Sequence, residues 1–115
     1  MKNVILEKSF EFALNIIEYS ETLESKRKFV IATQLLKSGT SIGANINEAQ
    51  SAESKADFIH KLKIADKEAN EVSYWLKLCK YSEAYPNPIG LENQLIEIKK
   101  LLSSIISKAK MNIKK

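Results

Sequence analysis

Residues 38–78, SGTSIGANINEAQSAESKADFIHKLKIADKEANEVSYWLKL, decide the fold. From Phe58 the apolar positions run Phe58, Leu62, Ala65, Ala69, Val72, Leu76 and Cys79, alternating steps of four and three. That spacing keeps one stripe of an α-helix apolar over about three heptads. Ser54 stands just before the run, with Asp57 three positions later. A short side-chain oxygen at Ser54 can accept from an orphan amide of the first turn, and Asp57 answers the positive end of the helix dipole. Upstream, Ile31, Leu35, Ser38, Ile42, Asn45 and Ala49 keep the same beat but put polar residues on the face. Only residues 50–53 separate the two segments, enough for a helix–helix turn. The spacing therefore predicts two long helices packed antiparallel. Counting outward from a turn near Ala52, Asn45 falls opposite His60, and Ser38 opposite Lys67.

Helices are expected on both sides of this pair. The first covers residues 4–22, with Leu6, Phe10, Ala13, Leu14 and Ile17 as its apolar face and Glu11, Glu18 and Glu21 outward. The second covers 26–50 and the third 55–84. The third would be on the order of 45 Å long at 1.5 Å per residue, which requires an elongated molecule. Pro86 and Pro88 forbid continuation of the helix. A fourth helix at 91–112 carries Leu91, Leu95, Ile98, Leu102, Ile105 and Ala109 at the same spacing, widened by Leu101 and Ile106. The fold class is all-α: an elongated antiparallel up-down four-helix bundle, one domain over 1–115.

Composition agrees. With 115 residues, 44% hydrophobic and 28% charged, the chain suits a single globular domain. Its lone cysteine, Cys79, lies on the apolar beat, as expected of a small core residue in a reducing cytoplasm. The apolar run before Glu7 is only Val4, Ile5 and Leu6, too short for a signal peptide, and nothing approaches a membrane span. Di-metal bundle sites need two Glu-x-x-His pairs, and this chain has one histidine. Zinc spacing fails with one cysteine. Along the third helix, His60 and Cys79 would stand roughly 28 Å apart, too far for a nucleophile–base pair. No catalytic residue, metal or cofactor is expected, and the chain does not read as an enzyme.

Several residues break the bundle pattern and are candidates for a role. Gly39 and Gly43, four apart on the second helix, form a small-residue patch with Ser38, Thr40, Ser41 and Ala44. Each glycine costs about 1 kcal/mol relative to alanine, so close approach of another backbone, most naturally at a subunit interface, is the expected return. Asn45, Glu48, His60, Glu68 and Glu71 form an expected structural polar network, with Asn45 largely buried near His60 and Glu48 paired to Lys61. Trp75, on a second stripe with Ile64, Glu68, Glu71 and Leu78, is a candidate oligomer anchor unless the first helix covers it. Tyr81 and Tyr85 are placed to cap the bundle end or to stack on bases.

Net charge is +4, distributed unevenly. Residues 1–25 carry −3, residues 26–51 carry +3, residues 52–90 balance, and residues 91–115 carry +4. Lys99, Lys100, Lys108 and Lys110 supply much of the last excess. They are either a solvated helix face or, repeated by symmetry, a surface for nucleic acid. Lys26, Arg27 and Lys28 open the second helix, where positive charge opposes the dipole at a cost of a few tenths of a kcal/mol each. Pairing with Glu21 or Glu24 would explain them, as would phosphate contacts.

The segment GANINEAQSAESKADFIHKLKIADKEANEVSYWLKL resembles the signature of the four-helix bundle proteins encoded in intervening sequences of bacterial 23S ribosomal RNA genes. The resemblance rests on Ser41-Ile42, Ala44-Asn45-Ile46 with Glu48, Asp57-Phe58, Lys61-Leu62, Ile64-Ala65, Lys67-Glu68-Ala69, Glu71 and Tyr74-Trp75-Leu76. Ala49-Gln50 stands where many members have a glycine. The resemblance implies an up-down bundle assembled as a ring-like homopentamer. The chain is also similar to the accessory protein of diversity-generating retroelements, which binds a reverse transcriptase and nucleic acid. The expected function is that of a non-catalytic accessory protein that binds RNA or DNA through Lys99, Lys100, Lys108 and Lys110, with Lys26, Arg27 and Lys28 next. The alternative is a scaffold for a protein partner such as a reverse transcriptase or ribonucleoprotein component.

Overall fold

The computed structural model describes residues 3–113 as four α-helices: α1 (Val4–Ser25), α2 (Phe29–Ala49), α3 (Lys55–Tyr81) and α4 (Leu91–Ile113). α1 packs on α2 and α4, and α3 packs on the same two helices, while among the described residues the backbones of the diagonal pairs stay apart and Tyr19 of α1 reaches Cys79 of α3 through side chains. Short connections make successive helices antiparallel. The result is an elongated all-α bundle measuring 52 × 24 × 22 Å.

Local chemistry sets the helix ends. The Ser54 Oγ accepts from the Asp57 amide at 3.0 Å, and Asp57 Oδ2 accepts from the Glu53 amide at 3.2 Å. This reciprocal pair satisfies two donors at the start of α3. Asn3 Oδ1 accepts from the Leu6 amide at 3.4 Å and caps α1. α3 stops at Tyr81 rather than 84, where residues 82–85 close a turn with the Tyr85 amide on the Ser82 carbonyl at 3.1 Å. The buried Tyr19 then holds the loop, its hydroxyl donating to the Pro86 carbonyl at 2.6 Å. Burial, and Cys79 beside it, raise the Tyr19 phenol well above its ordinary range, so it remains a donor. Gly90, at φ +85°, makes the reversal into α4 that other residues rarely adopt.

The first connection corrects the reading of the basic triplet. α1 runs on to Ser25 and α2 begins at Phe29, not at 26. The Lys28 amide donates to the Leu23 carbonyl at 2.8 Å and the Arg27 amide to the Glu24 carbonyl at 2.8 Å, with Arg27 left-handed at φ 62°. This is a Schellman termination of α1 with arginine where glycine is usual. Lys26 and Arg27 therefore sit at the negative end of α1, where cations are favourable.

The core faces of α3 and α4 follow the predicted spacing, except that Phe58 and Ile105 are half-buried and Ile59 is buried at the start of α3. Leu62, Ala65, Ala69, Val72, Leu76 and Cys79 are buried, as are Leu91, Leu95, Ile98, Leu102 and Ala109. α1 differs. Its buried face is Ile5, Ser9, Phe12, Ile16, Tyr19, Ser20 and Leu23. Of the predicted face, Leu6 packs on the core edge and Ala13 is half-buried, but Phe10, Leu14 and Ile17 are turned outward, 64%, 50% and 39% exposed. The cause lies in α2. A Cβ on Gly39 would come within 2.7 Å of Ile16 Cγ2, and one on Gly43 within 3.5 Å of Ser9. The two glycines of α2 leave room for Ile16 and Ser9 of α1, Gly39 receiving the bulk of Ile16 and Gly43 meeting Ser9, and that seam sets the rotation of α1. The glycines thus serve α1 of the same chain, not the subunit interface expected of them.

Candidate nucleic-acid interface

The lysines of α4 do not form one strip. Lys99 and Lys100 line a shallow depression of about 400 Å³ with Ile96 and Ser103. By helical spacing Lys110 follows the Lys99 flank, and Lys108 falls on the opposite flank with Glu97. Glu97 itself is paired to Lys8 of α1 at 2.6 Å. Lys100, Lys108 and Lys110 are exposed and Lys99 is half-buried. The outward half of α4 is therefore a broad basic surface with its tightest cluster at Lys99 and Lys100. Lys26 and Arg27 are exposed at the other connection, while Lys28 is half-buried with its Nζ 5.1 Å from the centre of the Tyr85 ring.

The expected polar network separates into local contacts. Asn45 is half-buried, and its amide donates to the Ser41 carbonyl of its own helix at 2.8 Å. It does not reach His60, which is exposed on α3. An asparagine on the apolar beat can satisfy its donor one turn back, so no partner across the turn is required. Glu48 does pair with Lys61, at 3.6 Å. Glu68 and Glu71 lie side by side on α3 with Lys37 and Lys67 nearby, and burial followed by the Glu71 charge raises the Glu68 carboxyl above its ordinary range.

Trp75 is half-buried against the core, its ring 5.5 Å from that of Tyr74 and tilted by 59°. Its indole N–H is enclosed without an acceptor.

A further set escapes a reading based on runs of charge, because its lysines are not consecutive. Lys63, Lys67, Asn70, Tyr74, Lys77 and Tyr81 follow steps of four and three along the outward face of α3, and all six are exposed. The signal is a second periodicity on the polar side of the helix.

A polar depression of about 360 Å³ between α1 and the α3–α4 loop is lined by Asn15, Glu18, Tyr19, Thr22, Asn87 and Gln94 among others. Asn15 donates to Gln94 across it at 3.1 Å. It holds no nucleophile beside a base. Cys79 is buried in the core, and burial raises its thiol. Among the described residues, no three or more His, Cys, Asp or Glu side chains are gathered to hold a metal ion, and no helix is long and apolar enough to cross a membrane.

The family model described as 23S rRNA-intervening sequence protein matches residues 1–104. A crystal structure from Bacteroides thetaiotaomicron, of a protein of unknown function from the S23 ribosomal protein family, is similar at a TM-score of 0.84. The two are 50% identical, over 89% of this chain and 97% of that one. No curated protein matches the chain.

Proposed function

Starting from the fact that the chain belongs to the 23S rRNA-intervening sequence protein family, we propose that it is a non-catalytic, oligomeric accessory protein of the cytoplasm that binds nucleic acid through its basic surface. The observation that carries this is the outward half of α4, where Lys99 and Lys100 flank an open depression and Lys108 extends the positive field. Exposed lysines on a rigid helix meet phosphates without ordering a loop, and the recognition is of charge and shape rather than of base sequence.

Oligomerisation is supported by the outer face of α1. Phe10, Leu14 and Ile17 form an exposed apolar stripe edged by the half-buried Leu6 and Ala13, and Leu36, on the same flank of α2 as Gly39 and Gly43, is exposed as well. Glu7, Glu11, Glu18 and Glu21 accompany the stripe. Two such acidic faces repel, so the occupant is a different, basic face of a second copy. The exposed Phe29 and Val30 beside Lys26 and Arg27 offer one. A head-to-tail contact of this kind makes a ring where its rotation closes, and the family resemblance makes that ring a homopentamer.

The test is binding of the purified protein to a structured RNA and a DNA duplex across a salt series. Affinity should fall steeply with salt, and K99Q/K100Q/K108Q should lower both the affinity and the slope of its logarithm against log salt. An unchanged slope in that variant would refute the α4 assignment. Partner capture that resists salt and nuclease would instead favour the scaffold reading.

A further inference from the structure

The outward face of α3 pairs aromatic rings with lysines in a way that the α4 surface does not. Lys63, Lys67, Tyr74, Lys77 and Tyr81 lie on one stripe, with Tyr74 57% and Tyr81 74% exposed. Both rings are supported from behind. Tyr74 leans on Trp75, which is packed against the core. Lys80 places its Nζ 5.6 Å from the centre of the Tyr81 ring and is tied to Glu92 at 3.5 Å. The opposite face of Tyr81 is thus open while its position is constrained. Seven residues of helix separate the tyrosines by about 10 Å, close to three base-stacking intervals of about 3.4 Å. Asp66 and Glu71 border the stripe, so its excess of positive charge is modest.

We propose that this face binds single-stranded nucleic acid, with Tyr74 and Tyr81 stacking on unpaired bases and Lys63, Lys67 and Lys77 contacting the phosphates between and beyond them. An aromatic ring can stack on any unpaired base, so recognition is tolerant of sequence, while paired bases inside a duplex present no free face. The proposal rests on the nucleic-acid reading of the protein and deepens it from a basic surface to a strand-selective one.

The experiment titrates the full-length chain with fluorescent mixed-sequence 20-nucleotide single strands of RNA and of DNA, and with the corresponding duplexes, over a salt series. Single strands of at least one kind should bind more tightly than their duplex. Y74A/Y81A should weaken single-strand binding roughly tenfold or more and leave duplex binding unchanged, whereas Y74F/Y81F, which keeps the rings, should bind like the parent. K63Q/K67Q/K77Q should reduce the salt slope by about two, the value for three phosphates on a single strand. Circular dichroism and sedimentation of each variant should match the parent, since these side chains lie outside the core.

Duplex binding as tight as single-strand binding overturns the inference, and so does single-strand affinity indifferent to Y74A/Y81A. If binding is lost only in K99Q/K100Q/K108Q, the inference fails while the nucleic-acid reading stands. If the parent binds none of the probes even at low salt, both fail.

Discussion

α1 and α3 are diagonal partners whose backbones stay apart, and they turn opposite surfaces outward. α1 exposes Phe10, Leu14 and Ile17 among glutamates. α3 exposes Lys63, Lys67 and Lys77 among tyrosines. Both are long amphipathic helices in the same bundle, yet the second stripe of α1 is apolar throughout, whereas that of α3, Ile64, Glu68, Glu71, Trp75 and Leu78, carries two carboxylates. The second apolar stripe of α1 has no place inside a monomer where each helix meets only two neighbours. An apolar period therefore states how much surface a helix must bury, not within which chain. The outer face of α3 makes no such demand and is free to carry charge and exposed rings.

The two phenylalanines of α1 give the largest contrast. Phe12 is fully buried and Phe10 is mostly exposed. F12A should cost about 3–5 kcal/mol in denaturant unfolding, the usual penalty for an aromatic-sized core cavity. F10A should leave the unfolding free energy of the monomer within about 0.5 kcal/mol. F10S/L14S should shift the protein to monomers in sedimentation velocity while its helical content is kept. A cost at Phe10 comparable to that at Phe12, in protein dilute enough to be monomeric, would mean that the rotation of α1 is wrongly placed.

The glycine seam is the next place to press, because it sets that rotation. An alanine at Gly39 meets Ile16, which is fully buried and β-branched and cannot swing aside. G39A should lose about 1–3 kcal/mol to overpacking, only partly offset by a helix-propensity gain of about 1 kcal/mol. At Gly43 the added methyl would make ordinary contact with Ser9, so G43A should be neutral or more stable by up to about 1 kcal/mol. Equal effects at the two sites would argue against an asymmetric seam.

A smaller gain is expected at the end of α1. R27G relieves a left-handed arginine in the Schellman turn and should raise stability by about 0.5–1 kcal/mol in thermal unfolding. If it destabilises, the arginine charge at the carboxyl end of α1 outweighs the backbone strain.

The smallest effect belongs to α3. Burial, then Glu71, raise the Glu68 carboxyl. A group that holds its proton more tightly in the folded chain contributes stability that is complete in acid, below the unfolded pKa, and is lost as pH rises through the folded one. E68Q should therefore melt roughly 1 °C above the parent at neutral pH, with the gap closing as pH falls into the ordinary glutamate range. A gap that widens in acid would reverse the sign of the assignment.

Legibility in the sequence differs from residue to residue. The Ser54 cap, the α3 and α4 core faces and the Glu48–Lys61 pair follow from spacing and side-chain reach, which are local. Spacing puts Asn45 on the correct face but misleads about its partner, because an asparagine can bond one turn back as readily as across an interface. The basic triplet reads as the start of α2 because a left-handed arginine leaves no mark in the sequence, where a glycine would. The lysines of α4 and their division between two flanks are legible from helical spacing, but which flank meets α1, through Lys8 and Glu97, is not.

Spacing, turn length and the prolines at 86 and 88 determined four helices, their order and their antiparallel succession, because each of these is settled within a few turns of chain. The rotation of α1 was decided only by the tertiary structure. Both of its stripes carry large apolar residues, and the one turned inward is the one that sets Ile16 against Gly39 and Ser9 against Gly43. That contact joins residues more than twenty positions apart on two helices, and no local pattern encodes it.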